Sequence, residues 1–210
     1  VGSEMCIRDR GEDVHRATAA QVFHTTADKV TSEERRYAKT INFGLIYGKS
    51  AYGLSKDLDI SQEKARQFIG RYFEKYPGVA RYMEETKKRA HEKGYVETLF
   101  GRRIYLPEIY ADNATIRKGA ERTAINAPVQ GTAADLVKEA MIAVQNFLQQ
   151  ENLKSRMLMQ VHDELILEVP EQEQTIVKNK IKDLMEQVAD WAVPLVVDLG
   201  LGPDWQNAHS

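Results

Sequence analysis

Apolar positions recur at helical spacing through the first two-thirds of the chain and give way to shorter β-rich runs beyond it. Between Asp13 and Phe23, Val14, Ala17, Ala20 and the neighbouring Val22 fall at near-helical steps, which predicts a first helix. Thr31 or Ser32 can cap a second, with Glu33 and Glu34 in its positive first turn; it runs to about Tyr47 and stops at Gly48. Ser61 caps a third, which breaks at Pro77 and Gly78 and resumes to Lys93, where Gly94 ends it. Tyr95 to Ile109 reads as a short hairpin around Gly101. A long helix from about Asn113 to Gln149 has to bend near Pro128, because proline removes one backbone bond and clashes with the preceding turn.

The last third has a different rhythm. Arg156 to Val161 and Leu165 to Val169 are β-rich runs separated by His162, Asp163 and Glu164. Pro170 to Ala192 is helical again, and Pro194 to Leu199 reads as a final strand. A helical subdomain followed by a small antiparallel sheet flanked by helices is an α+β arrangement. The opening decapeptide VGSEMCIRDR has neither period, so residues 1–10 are expected to be a foreign or disordered leader outside the fold.

Composition narrows the class. With 210 residues, 42% hydrophobic and 29% charged, the chain is neither disordered nor fibrous. No stretch approaches the roughly 18 consecutive apolar residues of a membrane helix. No secretory signal is readable, so the expectation is a soluble cytoplasmic protein without membrane contact. The single cysteine, Cys6, excludes an internal disulfide framework and a cysteine zinc cluster. Net charge is -2, but its distribution is uneven. Residues 11–130 carry 21 Lys and Arg against 16 Asp and Glu, and residues 131–210 carry 6 against 13. That asymmetry suits a protein that holds a polyanion with one part and divalent metal with another, and equally two solvated faces of opposite charge.

Three constellations carry candidate chemistry. Arg35, Lys39, Phe43 and Tyr47 stand at steps of four on the second helix. Each step drifts about 40°, so all four lie within about 120° of one face, in a stripe about 18 Å long. Two cations followed by two rings match a nucleoside triphosphate, with cations on phosphates and rings on sugar and base. An amphipathic helix with solvated cations and a buried aromatic end has the same pattern. The second constellation is QVHDELILEV, which puts carboxylates at a hairpin tip, where they can hold Mg²⁺ beside phosphate oxygens; polar turns in general look alike. The third is Arg122, Asn126 and Gln130, long donors on one face of the long helix. The minor groove offers acceptors at nearly equivalent places in every base pair, so such donors can check pairing geometry without reading the base. Local polar contacts around Pro128 are the plainer account of them. His15, beside Asp13 at a helix start, is a possible phosphate ligand or simply structural.

The order in which these segments occur resembles family A DNA polymerases. RRYAKTINFGLIYG (35–48) resembles the nucleotide-binding helix of that family, VHDE (161–164) its motif C, and RTAINAPVQGTAAD (122–135) its primer-template helix. DVHRATAAQVF (13–23), GRRIYLP (101–107) and PDWQNAH (203–209) agree as well, so the resemblance covers essentially residues 11–210. It implies an incomplete right-hand polymerase fold, with fingers over 11–110 and the carboxyl part of the palm, including the motif C hairpin, over 111–210. The activity it implies is template-directed addition of deoxynucleotides to a primer 3′-hydroxyl, in DNA replication and repair, with two Mg²⁺ ions. Primer-template DNA and deoxynucleoside triphosphates are the implied partners, with no obligate protein partner.

The resemblance also distributes roles. Arg35 is expected at the γ-phosphate, His15 at the β-phosphate, and Lys39 near the reacting centre as proton donor to pyrophosphate. Phe43 is expected against sugar and base, where phenylalanine rather than tyrosine goes with discrimination against dideoxynucleotides. Tyr47 is expected on the template side of the insertion site. Asp163 is the expected metal ligand, supported by Glu164, while His162, Arg122, Asn126 and Gln130 monitor the primer terminus and the newest base pairs. The family also uses a second metal-binding aspartate on a strand upstream of Gly11, and VGSEMCIRDR does not resemble it. Two ions bridging attacking hydroxyl and leaving phosphate need carboxylates on both sides, so the 210-residue chain alone is expected to have little or no polymerase activity. The alternative is a non-catalytic nucleotide- or DNA-binding fragment. A phosphohydrolase built on His162 and Asp163 needs further clustered ligands that five scattered histidines do not supply.

Overall fold

The computed structural model describes residues 13–208, so the expectation for the opening decapeptide lies outside the described residues. The chain divides into two compact units between Gln130 and Gly131.

In the first unit, helix α1 (Val14–Val22) is capped by Asp13, whose carboxylate accepts from the backbone N–H groups of His15 and Arg16. Helix α2 (Ser32–Ile46) starts in a capping box. Thr31, not Ser32, is the cap: its hydroxyl accepts from the Glu34 N–H, and the Glu34 carboxylate accepts from the Thr31 N–H. Helix α3 (Ala51–Leu58) is capped by Ser50, and α4 (Gln62–Lys75) by Ser61. Pro77 opens α5 (Pro77–Lys93), where its missing N–H costs nothing, and Gly94, at φ 74°, closes it. Val22, Ile41, Leu45, Leu54, Leu58, Phe68 and Tyr72 form the main core of this unit. Ile41 is fully inaccessible, and truncating such a side chain to alanine costs about 2–5 kcal/mol.

Strands β1 (Tyr95–Glu97) and β2 (Arg103–Tyr105) pair antiparallel across Gly101, with Val96 opposite Ile104. Alternation along the two strands sends Val96 inward to a second cluster with Ala90, Leu106, Ile109, Ala120 and Ala124, against which Ile104 packs. Helix α6 (Ala114–Gln150) runs without interruption past Pro128 and across the boundary between the units. Proline denies the Ala124 carbonyl its usual donor, and the Tyr82 hydroxyl donates to the adjacent carbonyl, of Ile125, at 2.9 Å.

The second unit continues α6 and adds a hairpin of β3 (Arg156–Val161) and β4 (Glu164–Glu168), then α7 (Gln174–Glu186) and a last short helix α8 (Trp205–Ala208). Val144, Phe147 and Leu148 of α6 meet Val177 and Ile181 of α7 in its core. Glu173 ties the hairpin's start to the helix that follows it. Its carboxylate accepts from the N–H groups of Lys154 and Ser155 at 2.9 and 2.8 Å, and from the Ser155 hydroxyl at 2.6 Å.

Two expectations need correction. The helix read over 170–192 is regular only from Gln174 to Glu186, after a 3₁₀ turn at Glu171–Glu173. The strand expected over 194–199 is not a strand: these residues lie in no ladder among the described residues, and the Val197 N–H goes to the Glu186 carboxylate instead. β-rich composition makes a strand only where a partner supplies the ladder. Among the described residues, no helix is long and apolar enough to cross a membrane.

Candidate nucleotide and nucleic-acid site

Helix α2 buries Ala38, Ile41, Asn42, Gly44 and Leu45, which leaves Arg35, Lys39, Phe43 and Tyr47 on the opposite side. The rings are not core: Phe43 is 46% and Tyr47 45% exposed. Lys39 is exposed and forms no ion pair with the described residues. The face therefore presents a cation and two rings to solvent, and the buried-aromatic pattern is not what forms.

The start of α1 is brought beside this face. The Arg35 Nε donates to Asp13 Oδ2 at 2.6 Å, and the His15 ring lies 5.5 Å from the Phe43 ring, centroid to centroid. Burial pushes the Asp13 carboxyl up, but the Arg35 guanidinium and the N–H groups of Arg16 and His15 outweigh it and hold it below the usual carboxylate value. Sequence spacing did not show what holds His15. Buried Asn42 stands with its Nδ2 3.0 Å from His15 Nδ1, and donates to the Thr18 hydroxyl at 3.1 Å. The Thr18 hydroxyl in turn donates to the Val14 carbonyl at 2.8 Å. An amide donor at Nδ1 puts the neutral ring's proton on Nε2. His15, Arg35 and Phe43 are thus positioned jointly by two helices and one buried amide.

At its other end the face meets α6. Gly48 has φ 67°, and a Cβ placed on it stands 2.9 Å from Cγ of Arg122, so the Arg122 stem packs directly on the backbone after Tyr47. Asn126, one turn on, is half-buried with Oδ1 enclosed and lacking a hydrogen-bond partner among the described residues. Gln130 is exposed a further turn on.

In the second unit His162 and Asp163 form the tip of the β3–β4 hairpin, both exposed, with His162 in the left-handed region at φ 53°. The Gln160 side-chain amide donates to the His162 carbonyl and closes the turn. Glu164 is not at the tip: it begins β4, paired with Val161 and half-buried. Asp163 thus offers an exposed carboxylate at the turn, the oxygen donor Mg²⁺ prefers, and further ligands have to complete the sphere. Among the described residues, no group of three or more His, Cys, Asp or Glu side chains is placed to hold a metal.

The first unit thus carries a helix face with an exposed cation and two half-exposed rings, and the second an exposed aspartate at a hairpin tip. Comparison with known proteins supplies the family. The profile of DNA polymerase family A matches residues 5–207, and the chain belongs to that family. It is 56% identical over 197 residues to DNA polymerase I of Pseudomonas aeruginosa, covering 94% of this chain and 22% of that protein. It is 47% identical over 209 residues to the thermostable DNA polymerase I of Thermus aquaticus, covering 99% of this chain and 25% of that one. Among solved structures it resembles the POL domain of Pol1 from M. smegmatis in complex with DNA primer-template and dNTP. The TM-score is 0.94 at 42% identity, over 98% of this chain and 36% of that one. The chain spans about a quarter or less of the curated relatives it matches.

Proposed function

We propose that this chain is the nucleotide-selecting and motif C portion of a DNA-directed DNA polymerase. The enzyme extends a primer 3′-hydroxyl with deoxynucleotides in cytoplasmic DNA replication and repair. The exposed order of Arg35, Lys39, Phe43 and Tyr47 on α2, backed by His15, carries the reading. Lys39 and Arg35 bind triphosphate oxygens, with Arg35 exchanging its bond to Asp13 for one to phosphate, and His15 donates from Nε2. Phe43 packs on sugar and base, and Tyr47 stands at the template side. Arg122, Asn126 and Gln130 face the minor groove of the newest pairs, with His162 at the primer end. Residues 11–110 act as fingers and 111–210 as the carboxyl part of the palm.

Asp163, supported by Glu164, would hold Mg²⁺ together with further ligands, and the ion would supply Lewis acidity there. Closure of α2 over a correct pair brings Lys39 to the leaving pyrophosphate, where it donates a proton. The test is primer extension by a protein completed with the upstream palm, comparing Asp163 with Asp163→Asn. A fall of several orders of magnitude in rate with DNA affinity retained supports the assignment, and an unchanged rate removes it.

A second reading has its own observation. The residues proposed to bind triphosphate, His15 and Arg35 among them, all lie in the first unit, which supports a chain that binds nucleotide without extending a primer. Nucleotide binding without extension by the isolated chain is the outcome that reading predicts.

A further inference from the structure

The β1–β2 hairpin has an outer face that the proposed reaction does not use. Register places Tyr95 opposite Tyr105 and Glu97 opposite Arg103, and strand alternation puts these four side chains on the side away from Val96 and Ile104. The Tyr95 and Tyr105 rings are 5.6 Å apart, tilted by 57°. The Arg103 guanidinium lies 4.8 Å over the Tyr95 ring, and Lys93 Nζ is 5.8 Å from it. Tyr105 is 67% exposed. Tyr110, 59% exposed, donates its hydroxyl to the His91 carbonyl at 3.0 Å, and its ring lies against Gly94, just before Tyr95. A core ring gains by burial, yet Tyr105 and Tyr110 face solvent beside half-buried Tyr95, with Glu97, 3.3 Å from Arg103 Nε, as the counter-charge.

We propose that this outer face is a stacking platform for the bases of an unpaired DNA strand. Flat rings held by a ladder accept base faces without regard to sequence, and Lys93, Arg103 and exposed Arg102 complement the phosphates. Side chains on adjacent strands are also more rigid than loop aromatics, so little ordering entropy is lost on contact. The choice of DNA rather than RNA rests on the polymerase reading; the platform itself does not.

The test uses the full chain, folded by circular dichroism, and anisotropy of a short fluorescein-labelled oligo(dT) at low salt. Tyr105→Ala is expected to weaken binding at least about five-fold, while Tyr105→Phe, which keeps the ring, retains it. On the unaltered protein, an abasic deoxyribose-phosphate strand of equal length is expected to bind at least about five-fold more weakly than oligo(dT). Oligo(dT) carrying iododeoxyuridine is expected to cross-link to Tyr95 or Tyr105, mapped by mass spectrometry. Equal affinity for the abasic strand, cross-links confined to other segments, or equal binding by Tyr105→Ala and Tyr105→Phe overturns the platform. Tighter binding of oligo(rU) overturns the choice of DNA. Platform binding without primer extension by the completed protein contradicts only the polymerase reading.

Discussion

Gly48 and Arg122 touch where only a glycine fits: a Cβ on Gly48 comes to 2.9 Å from the Arg122 Cγ, and the backbone there is left-handed at φ 67°. The contact ties the end of α2, just after Tyr47, to α6, whose donors Arg122, Asn126 and Gln130 are proposed to face the minor groove. Gly48→Ala is therefore expected to destabilise the protein by about 1–2 kcal/mol through the left-handed backbone alone. Displacement of the Arg122 stem should add nucleotide misinsertion in the completed enzyme. Thermal denaturation and single-nucleotide insertion assays check the two parts, and a stable variant of unchanged fidelity contradicts the coupling.

Lys39 is the exposed cation between Arg35 and Phe43. Lys39→Ala is expected to weaken triphosphate affinity about ten- to hundred-fold, the scale of a lost charge-assisted bond, with little change in stability. In the completed enzyme it should also slow chemistry at saturating nucleotide. Nucleotide titration and single-turnover extension measure these separately; normal values for both remove the assigned role.

Phe43 packs against His15 and is about half exposed. Phe43→Tyr adds a hydroxyl at the sugar side of the proposed site and is expected to raise dideoxynucleotide incorporation. Chain-termination ratios in the completed enzyme decide it, and an unchanged ratio places Phe43 elsewhere.

Acid should loosen two ties at once. Asp13 has a lowered pKa because Arg35 and two N–H groups outweigh its burial, and Glu173 a lowered pKa because of the Ser155 hydroxyl and the Lys154 N–H. A carboxyl whose folded value lies below its unfolded one contributes stability above the unfolded value, and loses it as pH falls through the folded one. Stability is thus expected to drop below about pH 4, and Asp13→Asn to be less acid-sensitive than the unaltered protein. Melting curves between about pH 7 and about pH 3 test it. A variant as acid-sensitive as the original contradicts the Asp13 share.

Sequence period showed α1, α2, α4, α5 and both hairpins because each carries its own local signal: a cap, a glycine stop or a strand alternation. Helix α3 has such a signal too, Ser50 as cap with Leu54 and Leu58 inward, but at eight residues it is too short for its period to stand out in the sequence. Spacing on α2 showed which side chains share a face. It did not show that the rings stay exposed, because exposure depends on what the rest of the unit leaves uncovered. Asn42 beneath His15, Asp13 on Arg35 and Gly48 under Arg122 were invisible for the same reason: each joins residues far apart in sequence. The misread strand over 194–199 is the converse case, a β-rich segment whose state depends on a partner and not on its own composition.

On the proposed reading, Asp163 is a metal carboxylate and α2 binds nucleotide in a DNA-directed DNA polymerase. The most direct measurement is primer extension with Mg²⁺ and all four deoxynucleoside triphosphates, run in parallel on the 210-residue chain and on the protein completed with the upstream palm. Extension by the completed protein alone is the predicted result. Extension by neither, with the completed protein shown to be folded, contradicts the polymerase reading. Extension by the short chain contradicts the claim that its second metal carboxylate comes from outside these residues.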